Sequence, residues 1–218
     1  MFDIKTYVLH CKRLCDRKNF MNLQLNNLQF TNVEFYEDFD AVDLSIKDIQ
    51  TYYQVNHEVE KSKYVKWFPY NTPRVLTLPE ISLTIKLYQV CKKIAEGNDD
   101  IALILEDDSI IDNDFTTKFW EYYNETPDFD VVFIASCCEL RGTEKIYRKD
   151  HPASRGCGTI LIKKKACADI VRTFLPFNLC SDWELNYHMS LHDHKVFWWE
   201  PPMVNQGSEN GLFKSTLR

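Results

Sequence analysis

With 218 residues, 44% hydrophobic and 14% aromatic, the chain can bury a full core as a single domain over residues 1–218, and this composition argues against disorder. A net charge of -6 and an isoelectric point near 5.5 argue against nucleic acid as the main partner and leave room for a local basic pocket that takes a small phosphate. The start, Met1-Phe2-Asp3-Ile4-Lys5, lacks a basic region ahead of an apolar core, and no apolar run approaches the ~20 residues of a membrane span, so no membrane span and a cytoplasmic protein are expected.

The pattern alternates strand and helix, which predicts an α/β fold with a mostly parallel central sheet flanked by helices. Thr6 to His10 reads as a first strand, Asp16 is placed to cap a helix through Leu28, and Val33 to Tyr36 reads as a second strand. From Asp40 to Arg74, Tyr and Trp mix with charges without a clean period and the stretch closes on Pro69 and Pro73, which predicts short helices and loops over a cleft. Order returns at Pro79, a good first helical residue, with apolar rows Ile81, Ile85, Tyr88 and Leu83, Leu87, Val90, Ile94 and a terminator at Gly97. Ile101 to Leu105 then reads as a strand buried on both faces. Asp112 or Asp114 would cap a helix holding Phe115, Phe119 and Tyr122, and Val131 to Ala135 forms another buried strand. Gly156-Cys157-Gly158 leads into a strand at Thr159 to Ile162, followed by a helix from Lys165 to Leu175 and another near Ser181. Lys195 to Trp199 is the last strand, and the tail from Asn205 is polar and loop-like. Cys137, Cys138, Cys157, Cys180, His192 and His194 are potential zinc ligands, but none forms a C-x-x-C pair, and reduced thiols are expected.

The most informative junction is the one where Ile101 to Leu105 stops at Glu106-Asp107-Asp108. Ligands of parallel sheets bind beyond the carboxyl ends of strands. Three adjacent acids repel unless a cation or a ligand's donors offset the charge. Their hard oxygens suit Mg2+ or Mn2+, which bridge to phosphates. The alternative is a solvated acidic turn that caps the next helix.

Several segments occur in the order seen in glycosyltransferase family 25, which includes lipopolysaccharide-type and collagen galactosyltransferases. Tyr7 to Arg17 resembles the family's opening strand and Asn-Leu-Asp-Arg-like loop, Phe35 to Asp43 resembles its Phe-x-Ala-x-Asp segment, and Leu105-Glu106-Asp107-Asp108 is similar to its Leu-Glu-Asp-Asp motif. Gly158 to Ile162, Ser181-Asp182-Trp183, Glu200 to Gln206 and Ser208 follow in family order. There is one departure. Where the family carries Gly-Glu-x-Gly-Cys-x-x-Ser-His, this chain has Pro79 to Leu87 and keeps only Glu80, so a surface of small residues and a histidine becomes apolar and basic.

The resemblance implies a GT-A-like, Rossmann-like nucleotide-sugar transferase fold, a divalent cation, and inversion at the anomeric carbon. It implies a donor such as a UDP- or GDP-sugar and a glycan or glycoprotein acceptor. Asp108 is then the expected metal ligand, with Glu106 and Asp107 beside it or on the ribose and His194 a further ligand. His10, Arg13 and Arg17 lie near the nucleotide, and Ala41 and Asp43 near its base or ribose. Arg13 and Arg17 pair with phosphate or form a solvated helix start. Asp182 is the first candidate base and Glu184 the second, although acids at a helix start also act as caps. Two other classes compete: a carbohydrate-binding module on the same fold that has lost turnover, and a Mg2+-dependent phosphoryl-transfer enzyme. Against the latter, the chain has no Gly-rich Walker loop.

Overall fold

A computed structural model describes residues 1–64, 74–135, 144–149, 156 and 158–216, so Pro69, Pro73, Cys137, Cys138 and Cys157 lie outside the described residues. In chain order the elements are β1 (Lys5–Leu9), α1 (Cys15–Asn27), β2 (Val33–Tyr36), α2 (Ile46–Tyr52), α3 (His57–Tyr64), α4 (Leu78–Glu96), β3 (Ile101–Glu106) and β4 (Ser109–Ile111). They continue with α5 (Phe115–Glu125), β5 (Val131–Phe133), β6 (Ile146–Arg148), β7 (Thr159–Lys163), α6 (Lys164–Phe174), α7 (Ser181–Leu191), β8 (Val196–Trp199) and β9 (Val204–Gln206).

The expected α/β architecture is present as a seven-stranded sheet of order β2-β1-β3-β7-β5-β8-β6. Strands β1, β2 and β3 pair in parallel, as do β5 and β8, whereas β7 runs antiparallel to both β3 and β5, and β6 antiparallel to β8. The Thr159 strand is buried throughout its apolar run, like a parallel strand, so its burial pattern carries no sign of its direction.

Why β3 lacks polar alternation is visible in its packing. Ala102 and Ile104 face a core made with α4, α6 and α7, while Leu103 and Leu105 face a second core made with α1 and α5. Successive side chains of a strand point to opposite faces, so both faces being covered demands an unbroken apolar run. Truncating Leu103 to Ala would cost about 2–5 kcal/mol.

Helix α4 begins with a Thr77–Glu80 capping box and Pro79 in its first turn, and ends at Gly97. Asp16 does not cap α1: Leu14 holds the cap position without a side-chain bond and Asp16 lies inside the first turn, where a carboxylate still suits the helix dipole. The tail departs from the loop-like reading. β9 pairs antiparallel with β4, Ser109 opposite Gln206, which carries the residues after it onto the acidic junction.

Candidate functional site

Leu9 stands opposite Glu106 at the carboxyl ends of β1 and β3, and beyond this edge opens a cleft of about 470 Å³. Four segments wall it. The β1–α1 turn contributes His10, Cys11 and Arg13 and α1 adds Arg17; α4 contributes Pro79, Ser82, Leu83 and Lys86; the acidic junction contributes Glu106, Asp107 and Asp108; and the tail contributes Gln206, Ser208, Glu209, Ser215 and Thr216.

The three acids have different surroundings. Both oxygens of Asp107 are held by the protein: Oδ1 accepts from Arg17 at 2.6 Å, and Oδ2 accepts from the Cys11 N–H at 3.1 Å and lies 2.9 Å from His10 Nδ1. Burial pushes its carboxyl up, but the bonds from His10 and Arg17 outweigh that and hold its pKa below the ordinary range. Asp107 therefore ties the β1–α1 turn to β3 and has little left for a metal or ribose.

Glu106 shows the opposite shift. Its Oε2 accepts from Gln206 Nε2 at 3.0 Å, and burial, followed by the charges of Asp108, Asp107 and Asp182, raises its pKa to about 8. Asp108 accepts from the Ser208 N–H at 3.2 Å through Oδ2, and its carbonyl accepts from the Gly207 N–H at 2.8 Å. Two glycines permit this approach. A Cβ on Gly207 would lie 2.9 Å from the Asp108 carbonyl oxygen, and one on Gly158 would lie 2.9 Å from Gln206 Nε2.

His10, Arg13, Arg17, Ala41, Glu106, Asp107 and Asp108 are thus brought together as the sequence suggested. Asp43 is exposed on a turn closed by its own N–H to the Asp40 carbonyl, and it does not line the cleft. Asp182, in the first turn of α7, is close enough to raise the proton affinity of Glu106, and it accepts from Cys180 Sγ at 3.2 Å.

Glu184 is placed differently. It is fully buried and accepts from the N–H groups of Asn178 at 3.1 Å and Leu179 at 2.9 Å, from the Lys63 ammonium, and from His188 at 3.0 Å. Burial alone would raise its pKa, but His188 and Lys63 outweigh it and lower the value. With its oxygens engaged in this way, Glu184 holds the turn before α7 rather than facing a substrate.

His194 is not brought to the acids. It precedes β8 at the amino edge of the sheet, stacks on His192 at 5.6 Å and lies 3.5 Å from Asp169 on α6, whereas Glu106 ends β3 at the carboxyl edge. Among the described residues, no group of three or more His, Cys, Asp or Glu is gathered as a metal shell.

The sequence reading missed Asp40, Ser82 and Lys86. Ser82 and Lys86 are spaced i, i+4 and interrupt the apolar surface of α4, a signal that was available without the structure.

At the carboxyl edge of an α/β sheet, where ligands of such sheets bind, the cleft combines the carboxylates of Glu106, Asp107 and Asp108 with the side chains of His10, Arg13 and Lys86. Residues 3–149 match the model of Glycosyltransferase family 25 (LPS biosynthesis protein), and the chain belongs to that family. By that membership it is a glycosyltransferase, built on an α/β fold. The match ends before Ser181-Asp182-Trp183 and the Glu200 segment.

Among solved structures the chain is similar to A197 from STIV, at 14% identity and a TM-score of 0.42 over 94% of this chain and 83% of that one. It is also similar to S. aureus TarS 1–349, at 12% identity and a TM-score of 0.46 over 96% of this chain and 62% of that one. A third similarity is to mouse xyloside xylosyltransferase 1 in its apo form, at 10% identity and a TM-score of 0.41 over 89% and 84% of the two chains. No curated protein sequence matches. No described helix is long and apolar enough to cross a membrane.

Proposed function

We propose that the protein is a metal-dependent, inverting transferase that moves a sugar from a nucleoside-diphosphate sugar to a hydroxyl of a glycan or glycoprotein. The observation that carries this reading is the gathering in one cleft, at the carboxyl edge of the sheet, of the carboxylates of Glu106 and Asp108 with the side chains of Arg13 and Lys86.

The donor set fits Mg2+ or Mn2+. These ions are held by one or two carboxylates, with substrate phosphates and water completing the shell, so a preformed cage of three protein ligands is not required. Asp108 and Glu106 would hold the ion, and the crowding that raises Glu106 is what a cation would relieve. Bound there, it would neutralise the charge that develops on the departing diphosphate.

The chain's own residues do the rest. Arg13 faces the cleft as a phosphate donor, while Arg17 and His10 hold Asp107 and so keep the β1–α1 turn against β3. Asp182 accepts the proton of the acceptor hydroxyl as its oxygen bonds to the anomeric carbon. The bond from that carbon to the diphosphate oxygen breaks on the opposite face, and its electron pair leaves with the diphosphate.

A thermal-shift screen of UDP-, GDP-, CDP- and ADP-sugars with and without Mn2+ tests the reading. At least one is expected to stabilise the protein more with Mn2+ than without it. Asp108→Ala is expected to abolish that increment and to slow transfer about 10²–10³-fold. Stabilisation by no nucleotide-sugar would overturn the reading.

A further inference from the structure

We propose that Lys86 binds the diphosphate of the donor. This inference rests on the nucleotide-sugar reading above and adds to it a residue at a position where the family pattern carries serine.

Lys86 is buried on α4 and lines the cleft. Its ammonium donates to the His10 carbonyl at 2.8 Å and to Asp40 Oδ1 at 2.6 Å. An ammonium has three donors. Two are spent on these contacts, which leaves one N–H for an oxygen in the cleft.

The rest of the arrangement fixes where the ammonium stands. Asp40 Oδ2 accepts from the Lys12 N–H at 2.9 Å, so the ion pair clasps both ends of the β1–α1 turn, from His10 to Lys12. Phe39, just before Asp40, takes the left-handed conformation with φ of 63°, and its carbonyl accepts from Ser82 Oγ at 2.6 Å. A non-glycine residue held there is strained, and the surroundings must offset that strain. Ser82 and Lys86, one helical turn apart, thus grip the Phe39-Asp40 segment in a strained shape that places Asp40 under the ammonium.

A buried ion pair is weak evidence of stabilisation in itself, because desolvation cancels much of the attraction. Stability alone therefore does not account for a lysine at this point in the cleft. A compact point charge with one uncommitted donor suits phosphate oxygen. Arg17 is paired with Asp107 and donates to the Lys214 carbonyl at 2.7 Å, so it ties the tail to the acidic junction.

The test compares binding of UDP and GDP with that of uridine and guanosine, in wild type, Lys86→Met, Lys86→Arg and the double variant Asp40→Asn with Lys86→Met. Wild type is expected to bind a nucleoside diphosphate. Lys86→Met is expected to weaken it at least tenfold while leaving the parent nucleoside within twofold. Lys86→Arg should retain most of the affinity. The double variant, which leaves no unpaired carboxylate in the interior, should recover melting temperature but not diphosphate affinity.

Equal losses for diphosphate and nucleoside, or affinity that returns with stability in the double variant, would show a role confined to holding the turn and would overturn the proposal. Unchanged diphosphate binding in Lys86→Met would overturn it as well, while leaving the transferase reading intact. If wild type binds neither diphosphate, the Lys86 proposal falls, and if no nucleotide-sugar stabilises it either, both fall.

Discussion

Two glutamates, half-buried Glu106 at the end of β3 and buried Glu184 in the first turn of α7, begin from the same chemistry and end at opposite protonation behaviour. Glu184 is met by Lys63, His188 and two backbone N–H groups, and its pKa falls. Glu106 is met by Gln206 and surrounded by Asp107, Asp108 and Asp182, and its pKa rises to about 8. The difference lies in the partners and not in burial. Lys63 and His188 beside Glu184 favour its charged form, whereas the neighbouring acids of Glu106 disfavour its charged form.

Neutralising each centre in turn would break or sharpen this contrast. The largest effect is expected at Glu184→Gln, which leaves the Lys63 ammonium buried without its counter-charge and should cost about 3–5 kcal/mol in urea unfolding at neutral pH. The sign with pH follows from the lowered pKa. Glu184's contribution is complete above its ordinary value of 4.5 and is lost as the pH falls through the lower folded value, so the gap between wild type and variant should close in acid. A gap that widens in acid would contradict the pairing.

Glu106→Gln should act in the other direction. It replaces a carboxyl that must take up a proton on folding above its ordinary pKa of 4.5, and the amide oxygen can still accept from Gln206, so the ligand-free protein should gain about 1 kcal/mol at neutral pH, a gain that vanishes below pH 4.5. Its metal-dependent stabilisation by nucleotide-sugar should fall at the same time. A loss of stability as large as that at Glu184 would erase the distinction. The smallest effect is expected at His194→Ala. Because His194 lies at the opposite edge of the sheet, transfer measured on folded protein should stay within about twofold.

Much of this was legible in the residues. The Ile101 run, the Pro79 helix with its Gly97 stop, the Val33 strand and the Ser181 helix all fall close to where period and caps put them. What could not be read was direction and partnership. The Thr159 strand has the same apolar run whether it is parallel or antiparallel, and β4 and β9 are each three residues long, too short to show a period. Asp182 and Glu184 stand two positions apart in one helical turn. Successive residues rotate by ~100°, so the two face different surroundings, yet nothing local says which one is met by Lys63 and His188. The same holds for the acidic triad, where Asp107 is distinguished from its neighbours by Arg17 and His10, residues from far earlier in the chain.

That distance has a consequence in time. Arg17 joins Asp107 to the carbonyl of Lys214, a contact spanning 197 positions, and the Gly207 N–H seals the tail onto Asp108. A ribosome delivers the chain from one end, so β1, α1 and β3 can pair long before Lys214 exists, but the cleft cannot take its final shape until Lys214 has been made. The cleft is therefore completed after the sheet, and a nascent chain that has folded its sheet still lacks the wall that the tail supplies.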